Sequence, residues 1–209
     1  MTFPIFSIFI VFLVLLNIHV RKSNKSDEAV KRAFFERERA ADSARKKPLK
    51  NLNYIHIPDD IPPRITFAIS GDAREAAERI RQMKDDEVKI VNLTGYTNTD
   101  LKLEYGAANI SDLVIYDTNF SSLVTALQDC GRALYEAGKY EDAKSVLEFA
   151  VQCGTDIRES YRLLIDMYRT KLFLDKDTAS QKISSLLTVA ETLKSLSKDS
   201  IIKSINEAL

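Results

Sequence analysis

Residues 124–150 read VTALQDCGRALYEAGKYEDAKSVLEFA, and this stretch decides the fold. Leu127, Gly131 and Leu134 recur at helical spacing, as do Ala143, Leu147 and Ala150 after the turn Ala137-Gly138-Lys139-Tyr140. Two apolar stripes joined by a short glycine turn describe a helical hairpin. The small residues Gly131 and Ala143 let two antiparallel helices approach closely, and the larger apolar residues fill the space around them. From 124 onward the chain is therefore expected to be a stack of helices.

In that register the stretch resembles a tetratricopeptide repeat, a roughly 34-residue helix–turn–helix unit with small residues at fixed positions. Leu134 and Leu147 stand where that pattern prefers aromatics, and Thr155 where proline is common. A second, degenerate unit starts at Arg158: Tyr161, Leu164 and Tyr168 take the first-helix positions and Ile165 the small-residue slot. Its second helix is expected over Thr178–Ser197, with a capping helix over Asp199–Leu209. About three units are needed for a stable stack, so helices before Ser122 must cover the open side. The resemblance implies a concave binding face on the first helices: Thr125, Gln128, Arg132 and Tyr135, then Glu159, Arg162, Asp166 and Arg169. Arginines in such a face suit an acidic peptide or a terminal carboxylate, which the guanidinium meets bidentately.

At the other end, residues 1–20 are nearly all apolar and stop at Arg21-Lys22. Eighteen such residues rise roughly 27 Å as a helix, close to the hydrocarbon thickness of a bilayer. The reading is a single N-terminal transmembrane helix. A cleaved signal peptide fits less well, because no basic residue precedes the run and no small-residue cleavage site follows it. Arg21, Lys22 and Lys25 behind the span place the N-terminus outside and the C-terminal domain in the cytoplasm, at the cell membrane. The expected fold class is thus mainly α: one membrane span, an irregular segment, then a tetratricopeptide-like helical-hairpin domain.

The chain has 30 basic and 30 acidic residues, but 11 basic residues against 5 acidic ones fall between 21 and 50. That basic collar would meet anionic lipid headgroups. The rest of the chain is net acidic, which argues against nucleic acid as a partner. Ser26–Lys47 reads as a charged helix, stopped by Pro48, that lies on a membrane, acts as a spacer or docks on the domain. Residues 51–121 read as an irregular connector whose short helices pack on the repeats. Within it Asn53–Ile57, Ile65–Ile69 and Val88–Leu93 are extended, and Asp72 caps a helix to about Lys84 with Ala73, Ala76, Ala77 and Ile80 on one face. Thr97 or Thr99 opens another helix that Gly106 ends, and a further short one starts at Ser111.

No reaction chemistry stands out. His19 and His56 are isolated, Cys130 and Cys153 are 23 positions apart, and no glycine-rich phosphate loop occurs among six glycines. Two cysteines are too few for a disulfide framework. The expectation is a non-catalytic, cofactor-free and metal-free interaction or scaffold module that recruits a cytosolic or membrane protein. Alternatives are a targeting-sequence receptor of the mitochondrial-import type and an envelope-assembly subunit. The import type needs an apolar groove, and the residues of the implied face are polar.

Overall fold

The computed structural model describes residues 3–65 and 71–209, so Met1, Thr2 and most of the expected extended segment Ile65–Ile69 lie outside it. The helices among the described residues are α1 (Phe3–Asp42), α2 (Gly71–Gln82), α3 (Asn98–Tyr105), α4 (Ile110–Glu136), α5 (Tyr140–Gln152), α6 (Arg158–Asp166), α7 (Lys176–Thr192) and α8 (Lys198–Asn206). They fall into two compact units. One holds residues 1–48 and 97–110, the other 49–96 and 111–209.

In the first unit, α1 is a single helix of 40 residues, roughly 60 Å long at 1.5 Å per residue. No glycine or proline interrupts the chain between Pro4 and Pro48, and Pro4 sits in the first turn, where a missing N–H costs nothing. The expected boundary at Arg21 does not exist: the backbone stays α-helical through the change from apolar to charged residues. Among the described residues no helix is long and apolar enough to cross a membrane. This overturns the expected transmembrane anchor over 1–20, its N-out single-pass orientation and the cell-membrane placement. The apolar run is one part of a longer helix whose remainder is charged. The charged helix expected over Ser26–Lys47, within the basic stretch 21–50, is likewise the continuation of α1 and no separate element.

α1 ends at Asp42, before Lys47. The Ser43 hydroxyl donates to the carbonyls of Arg39 (2.9 Å) and Ala40 (3.1 Å) and satisfies the frayed end. The C-terminal turns of α1 dock on α3. Ala41 is fully buried, Arg37 pairs with Asp100 at 2.5 Å, Lys102 pairs with Asp42 at 2.6 Å, and Thr99 donates to Glu38. Beyond α1 the chain runs along α3, with the Lys47 N–H donating to the Tyr105 carbonyl (2.9 Å) and Asn109 Nδ2 to the Lys47 carbonyl (2.7 Å).

α3 starts and stops where its residues say it should. Thr97 caps it, accepting from the Asp100 N–H, while the Asp100 carboxylate accepts from the Thr97 N–H, a complete capping box, and Gly106 follows its last turn. Thr97→Ala is expected to lower stability by about 1 kcal/mol in a denaturant melt. The Thr97 side-chain and backbone donors, followed by Arg37, hold the Asp100 carboxyl down at about 2 against an ordinary 3.8. A depressed carboxylate contributes stability above its unfolded pKa and loses it as pH falls through the folded value. The fall in stability between pH 3.8 and pH 2 is expected to be shallower in Asp100→Asn, as read by melts across that range.

In the second unit, α2 buries Ala73, Ala76, Ala77 and Ile80, as their spacing requires. Tyr54 and Val91 form an antiparallel bridge, with the Ile55 N–H donating to the Ile90 carbonyl at 2.9 Å. α4 holds the far side of that segment: Asp117 accepts from the Leu93 N–H (3.0 Å) and Asn119 donates to the Lys89 carbonyl (2.9 Å). α4 and α5 form the expected hairpin. The chain reverses after α4 at Gly138 (φ +71°), where the Lys139 N–H reaches back to the Leu134 carbonyl at 2.9 Å.

The hairpin departs from the implied repeat in one respect. α4 is one helix of 27 residues starting at Ile110, in place of a short helix at Ser111 and a separate one at Val124. With α5 it exceeds a roughly 34-residue unit. The expected domain limits shift accordingly: residues 97–110 belong with α1, and α4 begins inside the supposed connector.

Candidate functional site

The implied face maps onto α4 and α6, which lie side by side in the second unit. Gln128 is only 7% exposed, and its Oε1 accepts from the buried Ser160 hydroxyl at 2.5 Å. It is a packed link between the two helices, not a surface contact. One helical turn on, Arg132 reaches Asp129 at 3.4 Å, while Asp129 is held more closely by Arg79 of α2 at 2.9 Å. Tyr135 donates to Asp166 across the α4–α6 seam and stacks edge-on with Tyr140, the centroids 5.5 Å apart. The Asp166 carboxylate, helped by burial, pushes the Tyr135 phenol up to about 12. At neutral pH Tyr135 is a hydrogen-bond donor, not a base or nucleophile.

Glu159 and Arg162 make a bidentate pair on α6, with Nε to Oε2 at 2.7 Å and Nη2 to Oε1 at 2.5 Å. The guanidinium holds Glu159 below the usual carboxylate range, against the opposing effect of desolvation. Six residues therefore converge: Gln128, Arg132, Tyr135, Glu159, Arg162 and Asp166. The other two do not join them. Thr125 bonds back to the Ser121 carbonyl of its own helix (2.8 Å). Arg169 lies on the π-helical turn Met167–Lys171 that follows α6, and faces a separate cleft of about 240 Å³ with Leu174, Lys176 and Ile183.

The contribution of α8 was missed from sequence. Between α6 and α8 lies a cleft of about 560 Å³, walled by Glu159 and Arg162 on one side and Ser200, Lys203 and Glu207 on the other. Arg158 lines its end and has no ion pair among the described residues, and Lys203 has only a loose one to Glu207 at 3.9 Å. The polar stripe of α8 opposite the buried Ile201 and Ile205 was legible at helical spacing, but read alone it is an ordinary solvated face.

No protein-family model, curated protein or solved structure matches this chain. The tetratricopeptide resemblance has no support beyond the residues that suggested it, and the repeat assignment is corrected to a helical-hairpin arrangement. Among the described residues no cluster of three His, Cys, Asp or Glu side chains could hold a metal ion.

Both thiols are set against reactivity. Burial pushes Cys130 and Cys153 up to about 12, and only the thiolate is a nucleophile. Iodoacetamide at neutral pH is expected to label both only as the chain unfolds, with the mass increments following the denaturant transition.

Proposed function

We propose that the chain is a non-catalytic protein-interaction module whose α4–α6–α8 face holds an acidic segment of a partner. The observation that supports this is the Arg162 guanidinium, which presents a bidentate carboxylate site at the mouth of the α6–α8 cleft. Glu159 occupies that site within the chain and shows the geometry a ligand carboxylate would adopt. Arg158 and Lys203 add positive charge to the same cleft. An incoming carboxylate must compete with Glu159 and desolvate an exposed pair, so binding is weak and sensitive to salt.

Selection from a random peptide library against the full chain tests this. Asp- and Glu-rich sequences should be enriched, and enrichment should vanish with Arg158→Glu and Arg162→Glu. Enrichment of basic or purely apolar sequences, or acidic enrichment untouched by the reversals, contradicts the reading.

A further inference from the structure

The turns that follow α5 and α7 close on residues 92–96 in the second unit and leave a cleft of about 310 Å³ between them. That volume is at the small end of ligand pockets, roughly 300–1,000 Å³. Its walls are fixed by contacts of their own. Asn92 Nδ2 donates to the Cys153 and Gly154 carbonyls (3.3 and 3.4 Å), and its Oδ1 accepts from the Thr94 N–H (3.0 Å). The buried Tyr161 hydroxyl donates to the Thr155 carbonyl at 2.9 Å and holds the same turn from behind. On the other wall the stem of Lys194 lies against Gly95, where a side-chain Cβ would come within 2.6 Å of the Lys194 Cβ.

Three polar groups in this cleft are left unanswered by the fold. Lys194 and Asp156 are the charged residues that line it, one of each sign. Neither forms an ion pair among the described residues, with the other or with anything else. The Lys194 ammonium rests 4.9 Å from the centroid of the Tyr96 ring, a contact that fixes its place and leaves its N–H donors free. Beside it, Ser195 Oγ is buried with no hydrogen-bond partner, a costly state for a hydroxyl unless something meets it.

These groups select a ligand by charge. A plain anion would satisfy Lys194 and face Asp156, and a plain cation would do the reverse. A neutral molecule carrying both charges answers both, and because the two side chains do not pair directly, it has to bridge them. We infer that the cleft binds a free α-amino acid, its ammonium on Asp156 and its carboxylate on Lys194 and the Ser195 hydroxyl. Ile55 and Leu193 line the same cleft and offer apolar surface to the amino acid's side chain. The site shares no residue with the α4–α6–α8 face, so the two readings stand or fall separately.

Calorimetric titration of the full chain with each standard amino acid tests this. At least one should bind. Its decarboxylated amine and its deaminated acid should each bind about tenfold more weakly or worse, because each leaves one buried-edge charge unanswered. Asp156→Asn and Lys194→Met should weaken the amino acid by the same factor, and both should melt as the parent does without ligand. The amine and acid controls use the unaltered chain, so they decide the matter even where a variant folds poorly. No binding by any amino acid, equal binding of the amine or the acid, or affinity unchanged in either variant overturns the inference.

Discussion

Gly106→Ala is expected to cost about 2–6 kcal/mol and to release α3 from the end of α1. Gly106 stands at φ 93°, ψ 143°, a region open essentially to glycine alone, where a side chain costs about 1–3 kcal/mol. Space makes matters worse. A Cβ there would lie 2.6 Å from the Arg45 carbonyl carbon and 2.7 Å from the Lys46 Cα. These are backbone atoms held by the Lys47–Tyr105 and Ala107–Ala44 hydrogen bonds, so no side-chain rotation relieves the clash, and overpacking adds about 1–3 kcal/mol. The expected result is a lower denaturation midpoint, with faster hydrogen exchange at 98–110. A change under about 0.5 kcal/mol would mean that the 44–47 segment does not lie against this glycine.

The second large effect sits in the helical hairpin. A Cβ on Gly131 would come within 2.5 Å of both Cγ and Cδ2 of Leu147. Helix propensity alone would make Gly131→Ala stabilising by up to about 1 kcal/mol, and the clash opposes it. Gly131→Leu has nearly the same propensity gain but drives a whole side chain into Leu147, and should destabilise by about 1–3 kcal/mol. Leu147→Ala alone leaves a cavity costing about 2–5 kcal/mol. In the double variant Gly131→Ala with Leu147→Ala the new methyl enters that cavity, so the two changes should together cost less than their sum by about 0.5–3 kcal/mol. Additive costs would separate the two residues and sink the close approach of α4 and α5.

Much of this architecture was legible because it is local. Ala73, Ala76, Ala77 and Ile80 mark the buried face of α2 by period. Thr97, Asp100 and Gly106 mark both ends of α3 by capping chemistry. The length of α1 was misread because a change in polarity was taken for a change in structure, although no glycine or proline separates the two halves. The same error split α4: residues 111–130 contain no breaker, and the periodic stretch at 124 is the continuation of a helix begun at Ile110. The site was less legible because it depends on packing between distant positions. Gln128 meets Ser160 and Tyr135 meets Asp166 across more than thirty residues. Gln128 therefore reads as a ligand contact by register yet is buried as a link between helices. The α8 wall of the cleft reads alone as an ordinary solvated face, since Ser200, Lys203 and Glu207 acquire meaning only opposite Arg158 and Arg162.

Hydrogen exchange of the full chain, with and without a saturating Asp- and Glu-rich peptide, tests the proposed function most directly. Ordering a ligand on the α4–α6–α8 face should slow exchange at 128–136, 158–166 and 198–206, and the effect should disappear in Arg162→Glu. An unchanged pattern, or protection confined to residues 49–90, would contradict it.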